Sequence, residues 1–240
     1  MADGDALTGQ GQMTAQRGER PGFTGDLWRA IEPIYAEIVR LPFLRGLIDG
    51  SLPLEAFRFY IIQDALYLRD YARCLSIASA RAPRSDVAAM FAGHVLGIMA
   101  AEGSLHDTFF ADFGITRAEV EQTPMAPANL AYTSYLLRQA YGGDYAELLG
   151  AVLPCYWIYR EVGQMLLAEG SGDPLFQRWI ATYGGEEYGE TVERVLEEMD
   201  RVGADLGPEQ RAAVIQAFVT TSRYEWMFWD MGSRLEEWPV

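Results

Sequence analysis

From Thr24 onward, apolar residues return at three- and four-residue spacing with almost no interruption, and that period limits what the chain can become. Trp28, Ile31, Ile34, Tyr35 and Ile38 mark one buried helix face. Ser51 and Pro53 open a longer helix, Leu54 to about Ala80, with Phe57, Ile61, Ala65 and Leu68 on one stripe. Ser85-Asp86 begins a third helix expected to run to Phe113 and stop at Gly114. Thr116 starts the short acidic turn Arg117–Gln122, and Pro127 opens a helix to Tyr141. Asp144 starts the next, to about Glu169, with Pro154 inside it. Asp173-Pro174 caps Leu175–Tyr183, Glu186 begins a helix to about Leu206, and Pro208 opens the last, to about Glu236. No alternating β-branched run is long enough for a strand. The expectation is an all-α, single-domain bundle of roughly eight helices over residues 21–240, with residues 1–20 as a flexible tail.

Charge and composition narrow the function classes. Half of the residues are hydrophobic, enough for a sizeable core, and the net charge is −15. Such a chain repels phosphates and anionic headgroups, so neither nucleic acid nor membrane is an expected partner. All 19 basic residues are arginine. Without lysine there is no Schiff-base chemistry and no lysine-bearing phosphate loop, and no dinucleotide fingerprint follows a strand. Two cysteines do not make a disulfide framework. The N-terminal residues lack the apolar core of a signal peptide, and no apolar stretch reaches a membrane span. The chain therefore reads as soluble and cytoplasmic.

Several polar residues interrupt apolar helical segments. Asp64 has Ile61, Tyr67 and Leu68 three and four residues away, so it is either a surface carboxylate or a buried one that must be paired. Cys155 follows Pro154, whose missing N–H opens the helix beside the thiol; the plainer reading is an inert core cysteine. Cys74 has no such irregularity and reads as core. Glu225 lies among Tyr224, Trp226, Phe228 and Trp229. That setting raises a carboxyl pKa toward neutrality, unless an ion pair with Arg223 or Arg160 holds it at the rim. Tyr67, Tyr132, Tyr159 and Tyr183 offer ring faces and hydroxyl donors, although a helix-core tyrosine is usually packing. Glu102 and His106 share a helix face with His94 upstream, but paired motifs from two helices are missing, so no metal or haem is expected.

In order along the chain stand Tyr60-Ile61-Ile62-Gln63-Asp64 with Tyr67, then Glu102-x-x-x-His106-x-x-Phe109-Phe110 and Ala131-Tyr132-Thr133-Ser134-Tyr135. Leu153-Pro154-Cys155-Tyr156-Trp157-x-Tyr159 follows, then Trp179-x-x-x-Tyr183 and Arg223-Tyr224-Glu225-x-Met227-Phe228-Trp229-Asp230. Each segment alone is weak, but six in register over Phe23 to Pro239 resemble the TenA family, thiaminase-II-type aminopyrimidine aminohydrolases on a haem-oxygenase-like helical fold. The resemblance implies Cys155 as a nucleophile toward an electron-poor pyrimidine, and Asp64 as the carboxylate that meets the ring nitrogen and exocyclic amine. It implies Tyr67, with Phe110 beside it, as the stacking surface, and Glu225 as the group that moves protons. Tyr132, Tyr159 and Tyr183 would donate hydrogen bonds around them. It also implies a homotetramer and chemistry without a cofactor. The chain departs from the family pattern at Gly185, where serine is frequent, and at Tyr188, where phenylalanine is usual. Both lie beside Tyr183, so the leaving-group preference stays open.

The expected function is hydrolysis of 4-amino-5-aminomethyl-2-methylpyrimidine, and of thiamine, to the hydroxymethylpyrimidine, in salvage of the pyrimidine half of thiamine. A non-catalytic thiamine or pyrimidine binder shares the pocket and has no need of Cys155. An oxidase or a metal-dependent relative of the same fold is the third reading.

Overall fold

Prolines and acidic caps set most of the helix starts. The computed structural model describes residues 20–101 and 107–240, and every regular element among them is a helix. In chain order these are α1 (Phe23–Ile38), α2 (Pro42–Asp49), α3 (Leu54–Arg81), α4 (Ser85–Ala101), α5 (Asp107–Phe113) and α6 (Arg117–Gln122). They continue as α7 (Pro127–Gly142), α8 (Tyr145–Glu169), α9 (Pro174–Gly184), α10 (Glu186–Ala204) and α11 (Pro208–Arg234). Proline occupies the first turn of α2, α7, α9 and α11, where its missing N–H has no helical partner to lose. Asp144 and Glu147 close a capping box at α8, each side chain accepting the other's backbone N–H at 2.8 Å. Asp173 accepts from Leu175 N at 2.8 Å and starts α9.

One difference from the sequence reading has a local cause. Helix α2 has only eight residues, too few to display a period, yet Pro42 opens it and Gly50 ends it at φ 76°. It buries Phe43, Leu44 and Leu47. The segment expected as one helix from Ser85 to Phe113 contains two described helices, α4 and α5. Residues 102–106 between them, with Glu102 and His106, lie outside the described residues, as do residues 1–19 of the expected tail.

Helix α8 is the axis of the bundle. It packs against α9, α10 and α11, and also against α3 and α7. A helix apolar on all sides must be enclosed, and seventeen of its residues are buried. Two glycines let neighbours come close. A Cβ on Gly150 would meet Val214 of α11 at 2.8 Å, and one on Gly163 would meet the backbone of Tyr183 in α9 at 2.4 Å. Gly184 reciprocates, since its Cβ would lie 2.6 Å from the Gly163 carbonyl oxygen. This crossing brings the Tyr183 ring to 5.0 Å from that of Tyr159.

A buried amide network fastens α7 to α3. The Gln63 side-chain oxygen Oε1 accepts from Ala126 N and Asn129 Nδ2, both at 2.9 Å, while its Nε2 donates to the Pro124 carbonyl at 3.0 Å. Each polar atom in the cluster that is satisfied this way avoids a desolvation penalty of about 1–3 kcal/mol. The clasp sits less than one turn before Tyr132 and so fixes where that side chain enters the core.

The Gly163–Gly184 crossing has a measurable consequence. Gly163→Ala gains up to about 1 kcal/mol of helix propensity but drives a methyl into backbone that has nowhere to move, at a cost of roughly 1–3 kcal/mol or more. Net destabilisation is expected in denaturant unfolding, with the midpoint lowered. A raised midpoint would mean that α8 and α9 do not cross this closely.

Candidate active site

Helical period brings Tyr60, Asp64, Tyr67 and Tyr71 onto one stripe of α3, and all four are buried. Helix α8 presents Cys155, Tyr156 and Tyr159 toward it. Between them lies a cavity of about 390 Å³, walled by Asp64, Tyr71, Cys155, Tyr159, Tyr183 and Tyr188, with His94 of α4 on one side. Its surface is mostly apolar carbon carrying a few convergent polar atoms, as small-molecule sites are. The helix runs unbroken through Pro154. The carbonyls around that proline take tyrosine protons instead: Tyr71 donates to Val152 at 3.0 Å, and Tyr188 to Cys155 and Tyr156 at 3.2 and 3.3 Å.

A second layer stands behind the cavity wall. Glu225, 1% exposed, accepts from the Tyr132 hydroxyl at 2.5 Å. The Tyr67 ring packs on Tyr132 at 5.0 Å and on Tyr71 at 5.4 Å, while Tyr60 and Tyr159 share a hydroxyl hydrogen bond of 2.9 Å. Phe110 is buried on α5 but is not among the residues that line the cavity. The sequence reading offered Arg160 as an ion-pair partner for Glu225. Instead Arg160 pairs with Glu161 and Glu193. Cys74 is fully buried, and its thiol is pushed up to about 12 by burial, with Asp70 adding to the effect; it is core, away from the cavity.

Burial dominates the electrostatics of Cys155 and Glu225. It pushes the Cys155 thiol well above its ordinary pKa, and the negative charges of Glu225 and Asp64 push the same way. Hydrogen bonding from the Tyr67 and Tyr71 hydroxyls pulls it back. The Tyr67 hydroxyl faces both the Tyr132 hydroxyl and the Cys155 sulfur, so its proton is within reach of a thiolate. Burial also raises Glu225 to about 8, against the pull of Tyr132, with Asp64 adding to the rise. Near neutral pH a carboxyl of this kind gives or takes a proton at little cost.

Tyr71, Tyr156, Tyr188 and His94 belong to the site although the sequence reading gave them no role in it. Tyr71 was detectable, because it follows Tyr67 by four residues and Asp64 by seven on the same stripe. His94 had no such signal. Its ring meets the Tyr156 hydroxyl at 2.9 Å, a partner 62 residues away. Among the described residues no group of three His, Cys, Asp or Glu side chains is placed to hold a metal ion, and no helix is long and apolar enough to cross a membrane.

The model of the TENA/THI-4/PQQC family matches residues 28–235. The aminopyrimidine aminohydrolase of Bacillus subtilis is 38% identical over 197 residues, which are 82% of this chain and 84% of that protein. The TenA homologue from P. horikoshii OT3 superposes with a TM-score of 0.82 at 28% identity, covering 89% of this chain and 99% of that one. A domain with a heme oxygenase-like fold from Shewanella denitrificans gives 0.68 at 15% identity, over 88% and 92% of the two chains, a likeness of fold alone.

The raised carboxyl predicts a pH signature in stability. Glu225 keeps its proton in the folded chain up to about 8, whereas the unfolded chain releases it near 4.5. Its stabilising share is thus complete below about 4.5 and is lost as pH rises through 8. Glu225→Gln does not titrate, so its stability relative to wild type should climb across that window by several kcal/mol, at about 1.4 kcal/mol per unit. Urea unfolding at pH 5 and at pH 8.5 reads the difference; one that stays constant would contradict the burial argument.

Proposed function

The chain belongs to the TENA/THI-4/PQQC family, and from that premise we propose that it is an aminopyrimidine aminohydrolase of the thiaminase II type. The observation that carries this reading is a thiol at the wall of an aromatic cavity with one carboxyl beside it and a second, proton-holding carboxyl close behind. A planar amino-substituted heterocycle suits such a place. Tyrosine rings supply flat apolar contact, and Asp64 accepts the exocyclic N–H while sharing a proton with the adjacent ring nitrogen.

The proposed chemistry balances within the cavity. The Cys155 sulfur adds to the ring carbon next to the opposite nitrogen, and the thiol's proton reaches that nitrogen by way of Glu225. The electron pair gained by the ring expels the amine from the exocyclic methylene, and the proton Glu225 already holds goes with it as ammonia. Water adds to the methylene and returns a proton to Glu225. The ring nitrogen then gives its proton back, the carbon–sulfur bond breaks, and hydroxymethylpyrimidine leaves. With thiamine the thiazolium leaves as neutral thiazole without taking a proton, so Glu225 keeps its own and the proton released by water goes to solvent. Tyr159, bonded to the Tyr60 hydroxyl and in ring contact with Tyr183, lines the cavity together with Tyr183, and we assign these two hydroxyls to the leaving group. The biological role we assign is salvage of the thiamine pyrimidine. Leu96 and Met99, exposed on α4, fit a homotetramer, which light scattering tests; a monomer would overturn that assignment.

Product formation from the aminomethylpyrimidine and from thiamine, wild type beside Cys155→Ser and Glu225→Gln, tests the function. Hydroxymethylpyrimidine is expected from wild type, with both variants slower by roughly a thousandfold or more while remaining folded. Tight pyrimidine binding by wild type without any product would leave a binder, and the hydrolase reading would fail.

A further inference from the structure

The chemistry above uses Glu225 and leaves unused a second polar line that reaches the thiol from the opposite side. Tyr71, one turn beyond Tyr67 on α3, lines the cavity and donates to the Val152 carbonyl at 3.0 Å, on the turn of α8 that carries Cys155. Its ring lies 5.8 Å from that of Tyr156, and its hydroxyl acts on both the Tyr156 hydroxyl and the Cys155 sulfur. The Tyr156 hydroxyl in turn stands 2.9 Å from His94 Nδ1. The other ring nitrogen of His94, Nε2, is buried and has no hydrogen-bond partner among the described residues. All four residues, His94, Tyr156, Tyr71 and Cys155, border the same cavity.

The position of one proton on His94 sets the direction of this line. With the proton on Nδ1, His94 donates to Tyr156, Tyr156 donates to Tyr71, and Tyr71 turns its hydroxyl from the Val152 carbonyl to the sulfur. Each O–H then polarises the next, and the last one stabilises a thiolate. With the proton on Nε2, Tyr156 donates to His94 and the line ends there. Burial, with Arg194 facing the ring from α10, lowers His94 to about 4, so at neutral pH the imidazole acts as a dipole and not as a charge. The groups that face the thiol itself are the carboxyls of Asp64 and Glu225 and the hydroxyls of Tyr60, Tyr67, Tyr71, Tyr132, Tyr156, Tyr183 and Tyr188. None of them is a cation.

We propose that His94 is a positioning residue for Cys155, aligning the Tyr156 and Tyr71 hydroxyls as a line of donors to the sulfur and so setting how readily the thiol reacts. The proposal rests on the reading of Cys155 as the nucleophile.

Alkylation of Cys155 by iodoacetamide in the full chain, followed by mass spectrometry across pH, reads the thiol without needing substrate. His94→Phe keeps a ring but removes both nitrogens, and alkylation at fixed pH should slow about fivefold, the worth of one net hydrogen bond, with the pH profile displaced upward. His94→Asn, whose amide stands near the place of Nδ1, should recover most of the rate. Tyr156→Phe removes a single oxygen and should slow alkylation to the same degree. It reads the same link should His94→Phe not fold, and the double variant should lose nothing more. Wild-type alkylation in Tyr156→Phe, or an Asn variant as slow as the Phe variant, would overturn the proposal. Product assays on the same samples separate the two readings. Alkylation that depends on His94 in a chain that forms no product sinks the hydrolase and leaves the donor line standing. Normal turnover with alkylation indifferent to His94 sinks the donor line alone.

Discussion

The enclosure of α8 is the constraint on which the rest of the structure depends. Over most of its length this helix has no solvent face, so a polar group on that stretch must be satisfied by its neighbours or remain neutral. Cys155 sits in the middle of this helix. A thiol tolerates such a place because its neutral form is nearly apolar, and the same burial makes its charged form costly. The glycines at 150 and 163 keep the enclosure tight, and through the second of them α9 delivers Tyr183 to the cavity. Packing and reactivity are thus two consequences of one arrangement.

Tyrosine is the side chain that makes the arrangement workable. Its ring fills core volume as phenylalanine does, while its hydroxyl donates a proton without carrying charge into the interior. Around Cys155 and Glu225 the hydroxyls of Tyr67, Tyr71 and Tyr132 each offset part of the desolvation that burial imposes. Two hydroxyls also hold backbone: Tyr188 donates to the carbonyls of Cys155 and Tyr156 and Tyr71 to that of Val152, so the turn that carries the thiol is gripped from α10 as well as from α3.

Much of this was legible in the sequence, and the failures share a cause. Asp144, Asp173, Pro127 and Pro208 start their helices where capping chemistry says they should, because those signals act within one turn. The 3.6-residue period marks the stripe of Asp64 and Tyr67 for the same local reason. Helix α2 escaped because its eight residues hold too little periodicity. The partner of His94 escaped because it comes from a helix 62 residues away and nothing within one turn announces it, whereas Tyr132, 93 residues from Glu225, entered only through the resemblance. Phe110 entered through resemblance alone; it is buried on α5 and is not among the residues that line the cavity.

What the site lacks among its described residues also shapes its chemistry. Arg160, one turn from Cys155 and Tyr156, is committed to Glu161 and Glu193, so no guanidinium reaches the thiol. A thiolate beside a cation persists before substrate arrives; one supported by hydroxyls alone, next to two carboxyls, does not. The resting pair is therefore a protonated thiol beside a carboxyl whose pKa of about 8 suits it to pass protons on. In the proposed hydrolysis the sulfur becomes nucleophilic only as its proton is carried to a ring nitrogen that can take it, and an electron-poor heterocycle held by Asp64 would present such a nitrogen. Selectivity for a pyrimidine would then follow from the absence of positive charge as much as from the shape of the cavity.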